Sequence, residues 1–208
     1  MTTTTVFLVR HGETVWHAEH RYAGRSNVTL TSTGYRQARE LAAWAAVAGL
    51  DAVWSSDLRR ARETAEASAA ATGHRVHVDA RLRELDFGDG EGLTHAEMAA
   101  RWPEAFAAFQ SDPVAHHLPG GEEPRAGVAR SWAAVREAAA AHPGGNVLLV
   151  GHGTLMRLLL CDLLGATLAA YRSGLPEVRS TAVTEVRVSD ETASLLSYNC
   201  PVPRPPAT

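Results

Sequence analysis

The stretch Val6-Phe7-Leu8-Val9-Arg10-His11-Gly12-Glu13-Thr14 constrains this chain more than any other. Its apolar run lacks the alternation of a half-exposed strand and predicts one buried on both faces, as in a parallel sheet. The run stops at an arginine, a histidine and a glycine. Ligands of open α/β sheets bind in the crevice beyond the carboxyl ends of the strands, so Arg10 and His11 are expected there on a rigid support. A second stretch, Val147-Leu148-Leu149-Val150-Gly151-His152-Gly153, repeats the pattern. One histidine after a strand is ordinarily a hydrogen-bonded turn residue, whereas two at two strand ends point to chemistry.

At 208 residues the chain suits one α/β domain, expected over residues 1–199, with a disordered proline-rich tail at 200–208. The net charge of −3, with no lysine-arginine block, excludes nucleic acid and anionic membranes as natural partners. Cys161 and Cys200 give neither a disulfide framework nor zinc-ligand spacing, so a cytoplasmic location is expected. Residues 1–5 lack a basic start followed by an apolar segment, so export is not expected, and the apolar run around Leu158-Leu159-Leu160 is too short to span a bilayer.

Residues 12–30 show no period and read as an active-site loop. Thr31 is placed to cap a helix running to about Val47, with Ala38, Leu41, Ala42 and Ala45 on one stripe. Ala52-Val53-Trp54 predicts a strand, Asp57 the cap of a helix over 58–71, and Gly73 its close. Val76–Val78 predicts another strand. Thr94 to Glu97 is a capping-box pattern, and Phe106 in the following aromatic stripe is expected in the core. Residues 111–124 read as an irregular insertion overhanging the site. Its adjacent His116 and His117 point apart without supporting carboxylates, so no metal is expected. Helices over 125–142 and 154–164 flank the second histidine strand, and 181–188 with 192–198 predict an antiparallel pair around Ser189-Asp190-Glu191. The order of elements favours a three-layer α/β/α sandwich with a mainly parallel central sheet and an antiparallel edge.

Two further clusters invite function. In Ser55-Ser56-Asp57-Leu58-Arg59-Arg60, Arg59 and Arg62 read as a solvated helix face. Arg60 falls in the first helical turn after a strand, where free N–H groups, the helix dipole and a guanidinium fork all suit an anion. The segment Arg81 to Gly92, with Glu84, Asp86, Asp89 and Glu91, reads as an acidic loop at a cleft edge.

Arg10-His11-Gly12-Glu13-Thr14, followed by Trp16, Arg21, Gly24 and Gly34, resembles the signature of the histidine phosphatase superfamily, also called phosphoglycerate mutase-like. Arg60-Ala61, the Leu-x-Glu at Glu84 and Gly151-His152-Gly153 resemble its other motifs. The resemblance implies that His11 is the nucleophile, Glu84 the proton donor, and Arg10, Arg60 and a protonated His152 the phosphate ligands. It also implies that His17, Arg21, Gly24 and Gly153 contact substrate. The sequence departs from the pattern at His17 (usually asparagine), Ala23 (glutamine), Asn27 (aspartate) and Gly90 (tryptophan), the last implying a more open pocket wall.

Phosphate monoester hydrolysis demands well over ~20 kcal/mol of transition-state stabilisation, which these cations can supply without a metal or other cofactor. Flanking guanidinium groups keep His11 neutral and nucleophilic. The expected activity is that of a metal-independent phosphomonoesterase acting on a small phosphorylated metabolite. The short segment between Glu84 and His152 favours it over a mutase. A silent ligand-binding relative is the third reading. Specificity is expected from the loop His17 to Asn27 and from residues 102–122, and many relatives being dimers puts a homodimer among the expectations.

Overall fold

A computed structural model describes residues 2–189 and 192–203. The chain runs β1 (Thr4–Arg10), α1 (Val15–Ala18), α2 (Ser32–Ala45), β2 (Ala52–Ser55), α3 (Arg59–Thr72), β3 (Val76–Val78), α4 (His95–Arg101), α5 (Pro103–Ser111), α6 (Pro124–Ala141), β4 (Asn146–Gly151), α7 (Gly153–Leu163), α8 (Tyr171–Gly174), β5 (Val183–Val188) and β6 (Ala193–Cys200). The strands form one sheet in the order β3-β2-β4-β1-β5-β6. The first four are mutually parallel, and β5 and β6 add an antiparallel edge.

Alternation along the central strands builds the three layers. Val6 and Leu8 of β1, paired with Val147 and Leu149 of β4, join Ala134 and Ala138 of α6 and Met156 and Leu160 of α7 in one core. Val9, Leu148 and Val150 face the other way, onto Leu41 and Ala45 of α2 and Ala61, Ala65 and Ala69 of α3. Both faces are covered, which is why these strands read as unbroken apolar runs. A third core under α4, α5 and α7 holds Met98, Phe106, Phe109, Leu118 and Leu158.

Local capping matches the sequence in two places and differs in one. The Thr31 hydroxyl accepts from Gly34 N (3.0 Å), and Thr94 with Glu97 forms the capping box. Asp57 does not cap α3, because its carboxylate pairs with Arg83 (Nε–Oδ1 2.7 Å). Leu58 is the cap residue, and Asn27 Oδ1 accepts from Arg59 N (3.0 Å) across the loop. One of the family departures thus satisfies a free donor at the helix start.

Residues 12–30 contain the short α1, whose cap Thr14 is paired with His17. The insertion after α5 does not overhang the site. Its Leu118 is buried under the Gly88–Gly90 turn, and Pro119 O accepts from Asp89 N (2.9 Å). The antiparallel pair is as expected, with Asp190 and Glu191 of its turn outside the described residues. Cys200 closes β6 and Val202 packs on the α2/α3 core, so ordered contacts run past the expected boundary at 199; residues 204–208 lie outside the described residues. No described helix is long and apolar enough to cross a membrane.

Leu148 lies in the central β4 and is fully buried. Leu148→Ala should lower unfolding stability by about 3 kcal/mol, read from urea midpoints at constant slope.

Candidate active site

The parallel pairing of β1 with β4 sets the site. Arg10 lies opposite Gly151, so the next residue of each chain, His11 and His152, leaves the sheet at the same level. Their ring centroids are 5.2 Å apart and both rings are buried.

Two contacts select one tautomer of His11. Its Nδ1 lies 2.7 Å from Gly12 O, an acceptor only, so Nδ1 carries the proton. Its Nε2 accepts from Arg60 Nε (3.1 Å), so the lone pair is on Nε2. Burial first, then the charges of Arg60, His152 and Arg10, push the pKa of His11 well below 6.5. The ring is neutral. Gly12 N donates to Thr64 Oγ1 (3.0 Å), fixing the turn that aims it. A Cβ on Gly12 would stand 2.6 Å from Gly34 O, so glycine is required here.

Arg60 is almost wholly buried in the first turn of α3. Besides His11 it donates to the carbonyls of Ser26 (2.8 Å), Ala23 (3.1 Å) and Gly24 (2.8 Å). One Nη1 hydrogen remains for a ligand. Burial lowers its pKa to about 10 against the opposing pull of Glu84 and Glu91. Gly24 admits no Cβ, which would meet Leu85 O at 2.5 Å. Its role here is to bring a carbonyl to Arg60.

Arg10 donates to Val178 O (2.8 Å) and to His17 Nε2 (2.5 Å), while its buried Nε has no partner. Burial is the first cause lowering its pKa. His17 is held near pKa 4 by burial and by Arg10, so it accepts from the guanidinium as a neutral ring. Gly153 lets Arg10 Nε pass 3.1 Å from where a Cβ would be.

The carboxylate of Glu84 sits on the N-terminus of α7. Oε2 accepts from Thr154 N (2.9 Å), and Oε1 from Leu155 N (2.9 Å) and Leu85 N (3.0 Å). Both nitrogens of His152 are buried without partners, and burial, then Arg60, Arg10 and Arg130, push its pKa well below 6.5. The cationic His152 expected from the resemblance is therefore neutral here. With Arg10 Nε, these unpaired buried atoms form, beside the charges of Arg10 and Arg60, an electropositive floor suited to an anion.

Arg21 is not brought to the other cations. It is clamped by Glu19 (2.6 Å), Glu97 (2.7 Å) and Gly92 O (2.7 Å) at the cleft rim. Arg59 and Arg62 pair with Glu63 and Glu66 on the exposed helix face, as expected. Gly90 does not open the wall: it is buried, and a Cβ would meet Leu118 Cδ1 at 2.4 Å, so Leu118 fills the space. The cleft, about 770 Å³, is lined by His17 to Ala23 without Ala18 and Glu19, and by none of 102–122. Its outer wall comes instead from Arg157, Tyr171, Arg172 and residues 176–182. Thr181 there has φ +59°, strained for a β-branched residue, and donates its N–H to Arg10 O (2.8 Å).

Sequence reasoning missed this wall, along with Arg130, which holds Glu122 and donates to the carbonyls of Arg81 (2.6 Å), Arg83 (2.7 Å) and Glu84 (3.1 Å). Arg157, one turn after Gly153, carried a helical-spacing signal that would have found it; the wall at 176–182 had none. Among the described residues no group of three or more His, Cys, Asp or Glu is arranged to hold a metal.

The model of the histidine phosphatase superfamily (branch 1) matches residues 6–201, and the chain belongs to that family. It is 36% identical over 184 residues to a probable phosphoglycerate mutase, GpmB, of Cronobacter sakazakii, covering 87% of this chain and 83% of that protein. Among solved structures it resembles Bacillus stearothermophilus YhfR at TM-score 0.89 and 32% identity, covering 95% of this chain and 97% of that one. It resembles a mycobacterial glucosyl-3-phosphoglycerate phosphatase at TM-score 0.85 and 31% identity, covering 95% and 99%.

His17 is neutral when folded and titrates near 6.5 when unfolded. Between those values the unfolded chain binds the extra proton, so stability falls as pH drops from 6.5 to about 4. His11 and His152 add to the same slope. Urea midpoints across this window should fall steeply for the parent and less steeply for His17→Asn.

Proposed function

We propose that this protein is a metal-independent phosphomonoesterase that hydrolyses a small phosphorylated metabolite through a phosphohistidine on His11. The observation that carries the reading is the tautomer of His11, whose Nε2 lone pair faces the electropositive floor while Nδ1 is tied to Gly12 O. The phosphoryl group enters between Arg10, Arg60 and His152. Its negative charge opposes the burial and the repulsion that keep His152 neutral, so proton uptake accompanies binding.

His11 Nε2 attacks phosphorus as Arg60 Nε turns from the imidazole to a phosphoryl oxygen. The ester P–O bond breaks, and the Glu84 carboxyl gives its proton to the leaving oxygen. Oε2 suits this because it accepts a single hydrogen bond and keeps a lone pair for the proton. Glu84 carboxylate then takes a proton from water, the water oxygen attacks phosphorus, the N–P bond breaks, and His11 is restored. Arg10 and Arg60 hold the equatorial oxygens throughout.

The kinship to GpmB supports a second reading, return of the phosphoryl group to a sugar acid instead of water. The phosphatase among the related structures and the short segment between Glu84 and His152 favour hydrolysis.

Phosphate release from an aryl phosphate and a panel of sugar phosphates, with chelator present, tests the reading. The parent should release phosphate without a bisphosphate primer and His11→Ala should not; transfer only to an acceptor would make it a mutase. In kcat/KM, which reads the steps up to departure of the leaving group and not the later attack of water, Glu84→Gln should slow alkyl esters by about 10²-fold or more and aryl phosphate far less, because a phenolate leaves without a proton. Equal losses on both would remove Glu84 as the general acid.

A further inference from the structure

Of the arginines that line the cleft, Arg21 and Arg179 end on carboxylates. Arg157 and Arg172 do not, among the described residues, although both line the cleft and are half-buried. Arg157 Nε donates to Gly153 O (3.2 Å), and its guanidinium carbon lies 4.9 Å from the centre of the Tyr171 ring. Arg172 approaches the same ring at 5.5 Å and the Phe109 ring at 4.6 Å. Its polar partners are neutral: the Tyr171 hydroxyl (3.1 Å), Gln110 Oε1 (3.2 Å) and the carbonyls of Phe109 (3.3 Å) and Gln110 (3.4 Å).

The two cations therefore flank one buried aromatic ring, fixed by π faces and neutral oxygens. Their placement relative to the phosphate floor is defined by α7: Arg157 is anchored to Gly153, and Gly153 packs on Arg10 Nε. A row of positive charge thus leads from Arg10 past Gly153 to Arg157, Tyr171 and Arg172. Of the acids lining the cleft, Glu84 is bound to the α7 N-terminus, Glu177 pairs with Arg179, Glu13 accepts from Thr31 and Glu40 lies 4.0 Å from Arg36, so none is paired with Arg157 or Arg172. Two half-buried guanidinium groups beside the floor repel each other and Arg10, a cost that a bound anion would turn into affinity. The size of the cleft suits a small molecule.

We propose that Arg157 and Arg172 form a subsite for a second anionic group of the substrate, making the natural ligand a phosphomonoester with a further carboxylate or phosphate. This rests on the phosphomonoesterase reading for the orientation of the ligand, with the scissile phosphate on the Arg10 and Arg60 floor. Guanidinium forks suit carboxylate and phosphate oxygens alike, so the two sources are distinguished by experiment.

Calorimetric titration of the His11→Ala protein, which removes turnover, would compare 6-phosphogluconate with glucose 6-phosphate, and fructose 1,6-bisphosphate with fructose 6-phosphate. At least one doubly anionic member should bind about tenfold or more tighter than its partner. The pair with the larger ratio tells carboxylate from phosphate. Adding Arg172→Gln or Arg157→Gln should cut that ratio to about threefold or less, and Arg172→Lys should restore part of it. Arg172 lies in the short outer α8, so its variants carry the test if Arg157→Gln fails to fold. Equal binding within both pairs, or a preference that survives both glutamine variants, overturns the proposal. Phosphate release by the parent is measured separately: selective binding without release sinks the phosphatase reading and keeps the subsite, whereas release without selectivity does the reverse.

Discussion

A buried guanidinium with no carboxylate in contact is the interaction on which the rest of this site depends. Arg60 is desolvated at the start of α3, and what holds it there is three backbone carbonyls and one imidazole nitrogen. Its charge therefore stays uncompensated and acts on its neighbours. It helps to keep His11 and His152 neutral, and fixes which nitrogen of His11 carries the lone pair. A carboxylate paired with Arg60 would offset its charge and remove its share of these effects, leaving that of burial. The same buried, positive surroundings that suit an anion also keep the His11 imidazole unprotonated.

The scaffold serves this by placing helix starts where the chemistry is. α3 begins with Arg60 in its first turn. α7 begins with His152 as its cap residue, and its first free N–H groups are taken by Glu84. The acid, the second imidazole and the packing surface for Arg10 at Gly153 are thus set by one helix terminus. The loop that carries Glu84 is held from outside by Arg130, which reaches three successive parts of its backbone. Strand and helix ends fix most of these groups, and the loop at 23–26 bears on Arg60 through its main chain.

The central sheet and the gathering of Arg10, His11, Arg60, Glu84 and His152 at one crevice were legible in the sequence because each has a local cause. Unbroken apolar runs mark strands buried on both faces, and polar residues at their ends mark the crevice. What the sequence hid was long-range. Asp57 looks like a cap until Arg83, far along the chain, takes its carboxylate. Gly90 looks like a missing wall until Leu118, from a segment that reads as an overhanging loop, is found in its place. The wall from Tyr171 to Ala182 has no periodicity at all, and it is positioned by the strained Thr181 reaching back to Arg10. Arg157 shows both sides: its helix was predictable, but the ring it packs against lies on α8.

The way Arg60 grips the loop at 23–26 also bears on how such a protein can change over generations. The guanidinium contacts only carbonyl oxygens there, and Glu91 holds the Arg25 and Ser26 N–H groups from the other side. Gly24 is locked by close approach, Ser26 Oγ donates to Glu91 and Arg25 pairs with Asp86, so within 23–26 it is Ala23 that is anchored without reading side-chain identity. Alanine can stand at 23, where relatives usually have glutamine, without disturbing the cation behind it. The cleft rim can thus change at 23 while the buried setting of Arg60 keeps its shape.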